Sequence, residues 1–248
     1  MKVSKTLFTV FFTTLMMTNA HGALIFTLSA PEEQYASTTS PTIVETFDDW
    51  QSGKFTGTKT NAFGTYEATR GKVKINSANK WGGSGGSGKY LFIPRGGNEM
   101  TLTFTQPVGY FGFWWSAGDG GNRLGVKTRT QDFEFSTSDI LNSPSLTAAH
   151  YGNPSWGNPS SPAQYHANWE PFAFVNLFAD TRLDEIESIR FYGSNFESDN
   201  HTVIRQLVRP TGARIAQFGV TAVPSPASFS LLAMALAFLV IRRHKQST

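Results

Sequence analysis

Thr101-Leu102-Thr103-Phe104-Thr105, with Tyr110-Phe111-Gly112-Phe113-Trp114-Trp115 close behind it, decides the fold class of this 248-residue chain. The first run alternates polar and apolar without a fault, which is the period of a strand with one wet face. The second is apolar on both faces and reads as a central strand, with Gly112 letting a neighbour approach closely. Phe172-Ala173-Phe174-Val175-Asn176-Leu177-Phe178-Ala179 is the other central candidate, and its one polar residue, Asn176, is expected to be hydrogen-bonded inside a sandwich.

Outward from these runs the pattern repeats. Ile43-Val44-Glu45-Thr46-Phe47 alternates as a strand does, and Asp48-Asp49-Trp50 closes it. Further runs rich in β-formers cover Gly64 to Ala68, Lys72 to Asn76, Lys89 to Ile93, Leu124 to Arg129, Asp132 to Ser136, Ile186 to Tyr192 and His201 to Val208, with Gly, Pro, Asn, Asp or Ser between them. Between the termini no window sustains a 3.6 period; Asp139 to Leu146 and Thr181 to Glu187 offer at most a turn of helix. The expected fold is all-β, an antiparallel jelly-roll-like β-sandwich of residues 43–222. Residues 23–42, polar and without a period, read as a flexible leader. Asn142 to Glu170, with two Asn-Pro steps, makes a loop of the length that is usually functional or disordered.

Both ends carry targeting chemistry. Met1-Lys2-Val3-Ser4-Lys5, an apolar stretch from Leu7 to Met17 and the small-residue neighbourhood Ala20-His21-Gly22 form a secretory signal peptide over residues 1–22, expected to be cut after Ala20 or Gly22. Residues 223–248 hold Val223-Pro224-Ser225-Pro226, an apolar run and the basic stop Arg242-Arg243-His244-Lys245. Ala227 to Ile241 is 15 residues, about 22 Å of helix against a hydrocarbon core of about 30 Å, a short transmembrane sorting helix. Its basic tail is expected to stay cytoplasmic until it is processed.

Five of the 21 basic side chains lie in these ends, leaving 16 against 18 acidic ones, a net charge of −2 for the mature part. The sequence pI of about 9.1 therefore belongs to the targeting segments, and nucleic-acid binding, which wants a basic patch on the folded domain, is set aside. Cysteine is absent, so thiolate zinc sites and cysteine nucleophiles are excluded, and stability must come from an aromatic-rich core.

The C-terminal layout resembles the sorting signal of the exosortase-dependent PEP-CTERM surface proteins, with Ser225 where that family usually carries glutamate. The body is similar to one of its subfamilies, of uncharacterised function, at Val44-Glu45-Thr46-Phe47-Asp48, at Tyr110 to Asp119, at Tyr151-Gly152-Asn153-Pro154, at Phe174 to Ala179 and at Phe196-Glu197-Ser198-Asp199-Asn200-His201. The resemblance implies an exported protein, anchored in the inner membrane before processing and then at the cell surface or in the extracellular matrix. Its implied partners are signal peptidase and an exosortase-type sorting peptidase. The setting it implies is exopolysaccharide and biofilm production, and it transfers no catalytic residue.

The glycine run Trp81-Gly82-Gly83-Ser84-Gly85-Gly86-Ser87-Gly88 formally fits both G-x-S-x-G and G-x-G-x-x-G. Each of those motifs needs a helix after it, whereas Lys89 to Ile93 directly behind the run is strand-like, so the run reads as a mobile turn or a rim loop. His150, His166 and His201 lack metal spacing; the first two flank the long loop, where ligand contact competes with plain solvation. Glu45, Glu134, Glu170, Glu197 and Asp199 are carboxylates from which a glycosidase pair could be drawn, a pairing that needs geometry. A structural calcium ion, the only cofactor the sequence invites, would suit Glu45 and Asp48 near the first strand with Glu197 and Asp199 near the last, or Asp119-Gly120-Gly121-Asn122; ordinary turn acids are the plainer reading. Trp156, Tyr165, His166 and Trp169 in the long loop are candidates for stacking on sugar rings, against the alternative that the loop buries its own aromatics. The functional expectation is a non-enzymatic surface or matrix protein engaging exopolysaccharide. A secreted glycan hydrolase or lyase and a purely structural matrix component are the alternatives.

Overall fold

In the computed structural model, which describes residues 23–36, 40–156 and 170–219, the chain forms two antiparallel sheets facing each other as a sandwich. The first sheet runs, in spatial order, β15 (Ala213–Gly219), β1 (Ala23–Leu28), β12 (Ala173–Ala179), β9 (Tyr110–Ser116), β14 (Phe196–Ile204), β7 (Lys89–Ile93), β6 (Val73–Ser77) and β3 (Gly53–Phe55), with β2 (Ile43–Glu45) also paired to β14. The second runs β11 (Asp132–Ser136), β10 (Asn122–Thr128), β13 (Ile186–Gly193), β8 (Glu99–Val108), β5 (Gly64–Arg70) and β4 (Thr58–Thr60). One short helix, α1 (Thr137–Leu141), and a 3₁₀ turn at Arg182–Asp184 fall where the sequence offers a turn of helix.

Period-2 alternation explains the second sheet. On β8, Leu102 and Phe104 are buried while Thr103 and Thr105 are exposed, so one face meets the core and the other meets water. The first sheet differs because both of its faces are covered. Phe111, Phe113 and Trp115 of β9 and Val175 and Leu177 of β12 point into the sandwich. Their neighbours Tyr110, Phe178, Trp114 and Phe174 form two further apolar clusters on the opposite face, against which Ala36 packs. Ser29 and His150 complete that cover: the Ser29 amide donates to Phe174 O at 3.0 Å, and His150 Nε2 lies 3.3 Å from Ser29 O. Asn176 sits on this outer face, accepting from Tyr110 Oη at 2.7 Å and donating to Ser29 Oγ at 3.1 Å. It is hydrogen-bonded as expected, but beneath the covering segment rather than between the sheets.

The leader expectation is corrected here. Ala23–Leu28 is a strand buried at all 6 positions, paired with both β12 and β15, and the compact unit runs Gly22–Val220 rather than starting near Ile43. A strand covered on both faces reads as an apolar run, here broken by Thr27 alone, and carries no alternation to reveal it. The strand expected over His201 to Val208 is β14, which begins at Phe196 and ends at Ile204, and β15, which the sequence reading did not include, follows it. Between Asp199 and Thr202 the register of β14 shifts, with Asn200 at φ 49°, a bulge that re-aims the side chains on either side.

The core centres on His201, fully buried, stacked on Phe191 with ring centroids 4.7 Å apart and met edge-on by Phe47 at 4.9 Å. Its Nδ1 lies 2.9 Å from Tyr66 Oη and its Nε2 3.0 Å from Ser198 Oγ. Both ring nitrogens are thus satisfied, and burial holds the imidazole down to about 3. The reading of His150 as a solvated side chain is corrected: at 3% exposed it is also buried, its Nδ1 accepting from the Thr147 amide, while His166 lies outside the described residues.

Close approach at Gly112 is as the sequence suggests, since a Cβ there would fall on Tyr110 Oη and within 2.6 Å of Phe174 Cε1. Gly112→Ala is expected to lower stability by about 1–3 kcal/mol through overpacking, read as a shift of the denaturant midpoint at unchanged slope.

Candidate functional site

The glycine run after Trp81 shapes the site. Gly83, Gly85, Gly86 and Gly88 all have positive φ, between 68° and 97°, a conformation that glycine adopts without a Cβ penalty. The loop is pinned rather than free. The Ser84 amide donates to Asp199 Oδ2 at 2.8 Å, Ser84 Oγ donates to Gln34 O at 3.2 Å, and the Gly85 amide donates to Gln34 Oε1 at 2.6 Å. Ser84 is therefore a tether, not a nucleophile, and β7 comes directly after the run as the sequence indicates.

Three large aromatics stand exposed around this loop: Tyr35 at 60%, Trp81 at 45% and Trp156 at 58%. Tyr35 Oη lies 3.3 Å from where a Cβ on Gly85 would stand, and Trp156 Nε1 3.8 Å from the same point on Gly86. The turn carrying Trp156 is tied to the loop's other end by Asn153 Nδ2, which donates to Asn79 O at 3.4 Å and Lys80 O at 3.3 Å. Lys80 Nζ covers one side of the Trp81 ring at 4.6 Å. Of the predicted aromatic loop, Trp156 thus belongs to an exposed rim, while Tyr165, His166 and Trp169 lie outside the described residues. Tyr35 and Trp81 were missed because one sits in the supposed leader and the other in a glycine-rich loop.

Next to Trp81 opens a cleft of about 290 Å³ lined by Phe92, Asp119, Glu170, Asn195 and Glu197. β14 supplies Glu197, which stands across from Phe92 of β7 and Ser116 of β9. Glu197 is 6% exposed, and its Oε2 is buried without a hydrogen-bond partner among the described residues. Burial, then the neighbouring Glu170 and Asp119, push its carboxyl up to about 9, against a smaller opposing effect of its own backbone amide. Glu170 rises to about 7 from burial and from Asp119. Asp119 is oriented by Asn195 Nδ2, 2.9 Å from its Oδ2. Glu170 and Glu197 both stand among the carboxylates that the sequence offers, but only the fold brings them to one cleft.

The four residues proposed for calcium are divided by the structure. Glu45 accepts from the Phe47 amide and Asn61 Nδ2, each at 2.9 Å, and Asp48 Oδ1 accepts from the Lys89 amide at 2.7 Å. Asp199 accepts from the Ser84 amide at 2.8 Å and from the Asn200 amide at 2.7 Å. Its carboxyl is pushed up to about 8 by burial, opposed by those two amides and raised further by Asp48 and Glu45. Glu45, Asp48 and Asp199 thus accept from turn and loop donors while Glu197 lines the cleft beside Trp81, and among the described residues no three acid or imidazole groups gather as metal ligands. These residues do not fit a calcium site. Val223, Pro224, Ser225, Pro226, Arg242 and Arg243 of the sorting signal lie outside the described residues, within which no helix is long and apolar enough to cross a membrane.

No family model and no curated protein matches the chain. Among solved structures it is similar to the catalytic domain of a GH87 alpha-1,3-glucanase variant in complex with tetrasaccharides, at 14% identity and a TM-score of 0.30, over 83% of this chain and 31% of that one, so that it spans under a third of that protein's length.

Proposed function

We propose that this chain is an exported, exosortase-sorted cell-surface or extracellular-matrix protein, non-enzymatic, whose jelly-roll-like sandwich binds exopolysaccharide. Signal peptidase and a sorting peptidase process its ends, and the inner membrane holds it only in transit. The observation that supports the binding role is the rim of Tyr35, Trp81 and Trp156 around a pinned glycine loop. Flat aromatic faces held in place stack on sugar rings at little cost in ordering, with hydroxyl groups left to neighbouring polar side chains.

Affinity electrophoresis in gels loaded with exopolysaccharide tests this reading. Trp81→Ala and Trp156→Ala are each expected to weaken retention about five- to tenfold, the equivalent of about 1 kcal/mol per lost stacking contact. Retention unchanged in the double variant would remove the rim from the binding face. Mass spectrometry of the exported chain tests the sorting half, which requires a new C-terminus upstream of Arg242. A second reading, a glycan hydrolase, draws on Glu197 and Glu170, whose raised carboxyls resemble a general acid beside a second carboxylate. Release of reducing ends, lost in Glu197→Gln, would favour it.

A further inference from the structure

We propose that the cleft between Asp119, Glu170 and Glu197 is a subsite for a sugar unit bearing a free primary amine, so that the bound glycan is a partly or wholly deacetylated amino-polysaccharide. This rests on the glycan-binding reading and names the ligand class of the same face.

The cleft is acidic: three carboxyls line it, and among the described residues no Lys or Arg is ion-paired to them. Lys80 is committed to the Trp81 ring. Glu197, on a strand buried along its whole length, lines the cleft with a carboxyl oxygen that no protein donor satisfies among the described residues. A buried acceptor left unpaired costs about 1–3 kcal/mol, more when it is ionised, so a ligand that supplies donors and positive charge gains by filling it.

The candidate ligands separate on chemistry. A uronate would bring a fourth acid to a cleft already lined by three. A neutral sugar offers hydroxyl donors but no positive charge to draw the proton from Glu197. A divalent cation wants several oxygens converging on one point, and among the described residues these do not converge. A primary ammonium carries one positive charge and three donors on a compact head, and the ring that bears it can lie against Trp81 and Phe92. Among the described residues the titratable groups facing Glu197 are Glu170, Asp119 and Tyr90, none of them cationic. A bound ammonium therefore favours the ionised form of Glu197, and binding near pH 6.5 should release a proton.

Titration calorimetry of the full chain at pH 6.5 distinguishes these cases, using a β-1,4-linked glucosamine tetramer, its N-acetylated counterpart, a neutral glucose tetramer and calcium chloride. The glucosamine tetramer is expected to bind at least tenfold tighter than either neutral oligomer. Its heat should differ between two buffers of different ionisation enthalpy by an amount matching release of about one proton. Glu197→Gln and, separately, Asp119→Asn should each erase most of that preference. Equal affinity for free and acetylated amines, or a preference that survives both variants, overturns the inference while leaving glycan binding intact, provided Trp156→Ala still weakens all three sugars. Calcium binding that displaces the amine also overturns it. Failure of every sugar to bind removes the glycan reading itself.

Discussion

Taking the protein from pH 8 to pH 5 is expected to raise its unfolding free energy by about 6 kcal/mol, the reverse of the usual acid sensitivity of folded proteins. The cause is a set of buried carboxyls that keep their protons when folded. Glu197 holds its proton up to about 9 and Asp199 up to about 8, whereas exposed carboxyls in an unfolded chain release theirs near pH 4. Where the folded pKa is raised, stability is complete below the unfolded pKa and drains away as pH climbs toward the folded one. At about 1.4 kcal/mol per pH unit per proton, each of the two contributes about 4 kcal/mol over this range.

His201 works in the opposite direction. Its folded pKa lies near 3, so below about 6.5 the unfolded chain binds a proton that the core refuses, which subtracts about 2 kcal/mol by pH 5. The two effects place the stability maximum near pH 4, below the usual range. Guanidinium melts at pH 4, 5, 7 and 8 measure it directly. Glu197→Gln should stabilise the protein at pH 8 and remove about 4 kcal/mol of the span. A midpoint that is highest at pH 7 to 8 would show that these carboxyls are ionised in the folded chain.

The same residues show what the sequence could reveal and what it could not. Alternation on Thr101 to Thr105 and the doubly apolar run of β9 were legible because both patterns follow directly from the two-residue period of a strand. Ala23–Leu28 was not, since a strand covered on both faces has no wet face to impose alternation, and the residues before it in the chain are themselves largely apolar. β3 and β4, with 3 residues each, are too short for any period to register. At the site, Trp156 could be picked out by its place in a long loop, whereas Trp81 and Tyr35 join it only through the contacts of the glycine run. Glu170 and Glu197 were visible as two carboxylates among several. Their shared cleft depends on β14 and the end of the long loop meeting beside β9, a long-range pairing with no local trace.

Asn122→Ala is expected to cost about 3–4 kcal/mol and to open the cleft at the same time. Asn122, 2% exposed, fills its whole hydrogen-bonding capacity. Its Oδ1 accepts from Trp115 Nε1 at 2.8 Å and the Asp119 amide at 3.1 Å, and its Nδ2 donates to Ser194 O at 2.7 Å and Asn195 O at 3.0 Å. One side chain thereby joins a fully buried indole of the core to the two loops that present Asp119 and Asn195. Alanine would leave two donors and two acceptors without partners, each worth about 1–3 kcal/mol if water cannot reach it, and the inner two are the ones water reaches least. Asn122→Asp is expected to be worse despite its matching shape, because it removes both donations and sets a carboxylate against two carbonyl oxygens and the nearby Asp119. Trp115→Ala should cost a similar amount, about 3–5 kcal/mol, from the cavity alone, but the double variant with Asn122→Ala should fall short of the sum, since the two share a hydrogen bond. Additive losses, or an Asn122→Ala midpoint within about 1 kcal/mol of the parent, would mean that the cleft's loops are held by something other than this asparagine.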